Sequence, residues 1–61
     1  MNEFEIQQIE KAFARCFGLK NALRAEVEYV NLRRGAIESL AYQSGLRKEF
    51  IENNLQQILE L

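Results

Sequence analysis

Only three residues in this chain are strong helix breakers, Gly18, Gly35 and Gly45, because the sequence contains no proline. The residues between them come mainly from Leu, Ala, Glu, Gln and Arg, which lose little conformational freedom in a helix. Asp, Thr and Trp are absent as well, so all nine acidic residues are glutamates. A chain of this kind is steered towards helices, and its glycines set where they stop. The expected fold class is all-α: a small helical bundle of three amphipathic helices with a long central helix. One domain, residues 1–61, is the natural count for this length.

Apolar periodicity locates the helices. Ile6, Ile9, Phe13 and Cys16 recur at spacings of 3, 4 and 3, with Ala12 and Phe17 widening the stripe. Asn2, followed by Glu5 at the third position, predicts a capping box at the start of this helix, and Gly18 predicts its end. Asn21 is the expected N-cap of the second helix. Its seam runs through Leu23, Val27, Val30, Ile37 and Ala41, with Ala36 and Leu40 beside it. The phase holds across Gly35, so the stripe predicts one helix from Asn21 to Ser44, roughly 36 Å long at the standard rise. A break near Arg33–Gly35 is the alternative, since an internal glycine costs about 1 kcal/mol against alanine. Ser44–Gly45 signals a turn. The last helix is expected from Leu46 to Leu61, with Ile51, Leu55 and Ile58 in one row, Phe50 and Leu59 beside it, and Asn54 interrupting the apolar face. Arg24–Glu28, Arg34–Glu38 and Lys48–Glu52 stand four apart, each with the basic residue first, which is the weaker order.

Size raises the question of what stabilises the fold. A core this small nets only ~3–5 kcal/mol, and small domains commonly add a disulfide, a metal or a partner. Cys16 is the only cysteine and histidine is absent. No intrachain disulfide can form, and no zinc quartet or other metal site is expected. A homo-oligomer, most simply a dimer, is therefore expected. Arg34 falls on the apolar seam, either snorkelling to water or held by a glutamate across an interface. Tyr29 and Tyr42 lie off the main seams, where tyrosines suit protein contacts. The candidate interface is thus Leu23, Val27, Val30, Arg34, Ile37 and Ala41, with Tyr29 and Tyr42 at its edge.

Several functions lack their chemistry here. Without histidine the usual proton shuttle at neutral pH is missing, and Ser39 and Ser44 have no triad partner. Three scattered glycines do not make a phosphate loop. No catalytic residue, cofactor or enzyme activity is expected. Cys16 reads as a small hydrophobe on the first stripe. No apolar run approaches the ~20 residues of a membrane span. Glu3 and Glu5 precede any apolar stretch, unlike a secretory or transit leader. A complete, cytoplasmic product of prokaryotic or phage type is the expectation. A net charge of −1 supplies no basic field for nucleic acid.

One local pattern points elsewhere. Ala41, Gly45 and Ile51 stand at offsets 0, 4 and 10, flanked by Leu40 and Leu46. A small residue, a turn glycine and an aliphatic at this spacing resemble the bacterial helix-turn-helix. The resemblance covers about a third of the chain. It implies a DNA-binding transcriptional regulator using residues 40–55, with Arg47, Lys48, Asn53 and Gln57 as exposed phosphate and base contacts. Glu49, Glu52 and Glu60 on the same segment oppose phosphate, and Asn54 stands where the next aliphatic belongs. A ribbon-helix-helix variant would need Val27–Leu32 as a strand, against the longer helical period. The expected function is therefore a non-catalytic protein–protein interaction module: an adaptor, inhibitor or phage-type regulator that self-associates through the Leu23–Ala41 face.

Overall fold

Gly18 and Gly45 both adopt positive φ, +85° and +74°, and each stands at the boundary of a helix. The structure is a computed structural model that describes residues 1–16, 18–28 and 35–61, with the backbone alone for 26–28. The described residues form α1 (Glu3–Arg15), α2 (Leu19–Glu28), α3 (Ala36–Ser44), α4 (Lys48–Asn53) and α5 (Leu55–Leu59), with no strand among them. The fold is all-α.

The start of α1 forms as the sequence predicts. The Asn2 side chain accepts from the Glu5 N–H at 2.8 Å, and the Glu5 carboxylate accepts from the Asn2 N–H at 2.8 Å. Two amides that a helix start leaves unpaired are thereby satisfied. The second helix starts earlier than expected. Asn21 lies inside α2, whose first turn begins instead at Gly18, whose carbonyl accepts from the Ala22 N–H at 3.0 Å. A left-handed glycine turns the chain here more readily than an asparagine cap three residues on.

The long central helix is replaced by two shorter ones. α2 is described as far as Glu28, and Gly35 forms the turn that opens α3. The two helices pack against each other, and the longest dimension of the molecule, 29 Å, is shorter than the ~36 Å that one helix from Asn21 to Ser44 would need. The alternative break near Arg33–Gly35 is described only at Gly35; Arg33 and Arg34 lie outside the described residues, as does the Val27–Leu32 ribbon apart from the Val27 and Glu28 backbone, which is helical. The last segment also divides. Asn54, at φ −117° and ψ 18°, leaves the helical region between α4 and α5. Its N–H is shared between the carbonyls of Phe50 and Ile51, and its side-chain amide donates to the Phe50 carbonyl at 2.9 Å. An asparagine side chain competing for backbone partners accounts for this kink.

Each helix places one fully buried aliphatic in a common core: Ile9 from α1, Leu23 from α2, Leu40 from α3, Ile51 from α4 and Ile58 from α5. Ala12, Leu19, Ala22 and Ala36 fill the gaps, and Phe13, Cys16, Leu46 and Phe50 pack half-buried around them. Burying one such large side chain contributes ~1.5–3 kcal/mol relative to exposure. The nine-residue α3, rather than a long helix, is the centre of the fold: α1, α2 and α4 all pack on it, and α5 closes over α2.

Candidate functional site

The faces of α3 divide sharply. Ala36, Leu40 and Ser44, four residues apart, form its buried row. Tyr42 is two residues from Leu40, about 200° around the helix, and is 84% exposed. Glu38 and Ser39, one turn earlier, are exposed beside it, while Ile37 and Ala41 border the core and are half-buried. Among the described residues, Tyr42, Phe4 (62%) and Leu61 (39%) are the large hydrophobics that stand exposed.

The far end of α3, which carries Tyr42, is tied down by hydrogen bonds on several sides. Gly45 accepts the left-handed conformation that ends the helix, and its N–H donates to the Ala41 carbonyl at 3.0 Å. The buried Ser44 hydroxyl donates to the same carbonyl at 3.3 Å and accepts from the Leu46 N–H at 3.2 Å. Arg15, in the last turn of α1, donates to the Gln43 carbonyl at 3.1 Å. A guanidinium at this position satisfies an orphan carbonyl and complements the negative end of the helix.

Four of the residues expected to meet a partner, Leu23, Ile37, Ala41 and Tyr42, are described, and they differ in exposure. Leu23 is fully buried in the chain's own core, so it is not available to a second chain. The reason is the fold-back of α2 on α3, which turns the inner faces of both helices towards each other. Ile37 and Ala41 keep only an edge accessible. Among the candidates whose side chains are described, Tyr42 is the one placed fully outward. The side chain of Val27 and all of Tyr29, Val30 and Arg34 lie outside the described residues.

The candidate DNA contacts fare differently. α3, the turn at Gly45–Arg47 and α4 follow one another as a helix-turn-helix would, with Leu40 and Ile51 both fully buried. Arg47, Lys48, Asn53 and Gln57 are all exposed. However, α4 is six residues long, and the kink at Asn54 puts Asn53 and Gln57 on different helices. Lys48 does not pair with Glu52 as its spacing suggests; its Nζ lies 2.9 Å from Glu38 Oε1 on α3. The hydrogen bond from Lys48 holds the Glu38 carboxyl below the usual glutamate range, with its own backbone amide assisting. The same hydrogen bond, with the charges of Glu38, Glu52 and Glu49, raises the Lys48 ammonium above its ordinary value. Lys48 is thus surrounded by carboxylates where a phosphate contact needs an unopposed cation.

Other basic residues are engaged within the chain. Arg24 donates to the Leu59 carbonyl at 3.3 Å; the Glu28 side chain, its expected partner, lies outside the described residues. Lys20, one turn before Arg24 on α2, donates to the Leu61 carbonyl. Arg15 and Arg24 thus serve carbonyls in the last turns of α3 and α5, and Lys20 one just beyond α5. The spacing of Lys20 and Arg24 places them on one face of α2, but the sequence holds no sign of which helix end they reach. The pair Lys48–Glu38 likewise joins two helices and escapes a search for partners four apart.

Among the described residues no group of three or more His, Cys, Asp or Glu side chains is arranged to hold a metal ion, and no helix is long and apolar enough to cross a membrane. Cys16 is a free thiol, half-buried at the end of α1 against the core. The chain matches no protein-family model, no curated protein and no solved structure.

Proposed function

We propose that this chain is a non-catalytic interaction module, an adaptor, inhibitor or regulator that works in the cytoplasm by meeting a protein partner through the outward face of α3. The observation that carries this reading is Tyr42: a ring 84% exposed on a helix whose opposite row is buried. A tyrosine held on a rigid helix supplies contact area at little cost in conformational entropy, and tyrosines are enriched among the residues that dominate protein interfaces. Glu38 and Ser39 beside it supply a polar rim. The half-buried edges of Ile37 and Ala41 continue the surface towards the core. Self-association belongs to the same reading; Leu23 and Leu40 are already buried within the chain, so a second copy would meet other residues, and the Tyr42 face is the surface proposed for it. Sedimentation at micromolar concentration tests it: about twice the chain mass is expected, and a monomer throughout that range excludes a dimer. Capture of partners by tagged protein after nuclease treatment tests the wider proposal. Tyr42→Ala should lose a partner that wild type retains; retention of every partner would refute the role of this face.

A second reading, a DNA-binding regulator using residues 40–55, is favoured by one observation: of the pattern Ala41, Gly45 and Ile51, Gly45 makes the turn and Ile51 is fully buried beyond it, with Leu40 buried before it and Ala41 half-buried. The carboxylates around Lys48 and the shortness of α4 weigh against it. Duplex binding that falls steeply with salt and vanishes on changing Arg47 and Lys48 together to alanine would establish it.

A further inference from the structure

We draw no further inference here: the strongest candidate, the exposed outward face of α3 around Tyr42, belongs to the surface already proposed, and nothing in the structure shows what covers it.

Discussion

Replacing each glycine by alanine should move stability in opposite directions, depending only on backbone conformation. Among the described residues a Cβ built at Gly18, Gly35 or Gly45 meets no atom within 4 Å, so the comparison turns on backbone conformation. At Gly45, with φ +74°, alanine must adopt the left-handed region, which costs ~1–2 kcal/mol. Stiffening the unfolded chain offsets ~0.4–1 kcal/mol of this. The net loss is about 1 kcal/mol, and for a domain of this size that lowers the melting midpoint by ~4–8 °C. Gly18, at φ +85°, should behave the same way. Gly35 is at φ −81° and ψ −1°, which alanine adopts freely. Only the unfolded-state effect remains there, so Gly35→Ala should stabilise by ~0.4–1 kcal/mol and raise the midpoint by roughly 2–8 °C. Circular dichroism melts of the three variants under one buffer provide the assay. Gly45→Asn should recover part of the loss, because asparagine tolerates the left-handed region. A Gly35→Ala variant as destabilised as Gly45→Ala would refute the reasoning, since it would mean that Gly35 is not right-handed where α3 begins.

The remaining predictions concern the core, the cap and the one cross-helix ion pair among the described residues. Leu40→Ala should cost ~2–5 kcal/mol, against a total stability of ~3–9 kcal/mol for a chain of this length at typical values per residue. Urea titration should therefore show a large fall in the midpoint or a protein partly unfolded in buffer. Asn2→Ala should cost ~1 kcal/mol by removing the capping box, read as a lower melting midpoint with faster amide exchange confined to the first turn of α1. Glu38 has a lowered folded-state value, so its contribution is present above its unfolded value and disappears as pH falls through the lowered one. Lys48 has a raised value, so its contribution is full below the unfolded value and is lost only as alkaline pH passes the raised one. Both side chains are about half-exposed, and solvent screening makes the pair weak. Melts of wild type and Glu38→Gln should differ slightly at neutral pH and converge in acid; a gap that widens in acid would contradict the sign.

Much of the core is readable from periodicity. Ile9, Leu23, Leu40, Ile51 and Ile58 all lie on or beside the apolar stripes, because a face repeating every three or four residues must be buried somewhere. Periodicity does not say against what. The stripe through Leu23 and Ala41 keeps its phase across Gly35, so one straight helix and two helices folded back on each other look alike in sequence. Folding back buries Leu23 within the chain and removes it from any surface. The capping box at Asn2 and Glu5 is legible because both partners are local. Lys48 and Glu38, ten positions apart, meet only once the turn at Gly45 has brought α4 onto α3. Asn54 shows the intermediate case: its interruption of the apolar face is visible in sequence, while the competition of its side chain for the Phe50 carbonyl emerges only from the backbone geometry. Tyr42 is placed outward by the same helical arithmetic that puts Leu40 inside.

The working surface of this protein is tested most directly by one side-by-side capture experiment. Tagged wild type, Tyr42→Ala and the Arg47→Ala/Lys48→Ala double variant would each be incubated with host extract treated with nuclease, and the retained proteins quantified. Because all three residues are exposed, melts of the variants should lie close to wild type, the double variant losing only the weak Lys48–Glu38 pair, and exclude misfolding as a cause. The account predicts a nuclease-resistant protein partner that Tyr42→Ala loses and the double variant keeps. Capture abolished by nuclease, with duplex binding lost in the Arg47/Lys48 variant and intact in Tyr42→Ala, would contradict it and assign the function to the helix-turn-helix face.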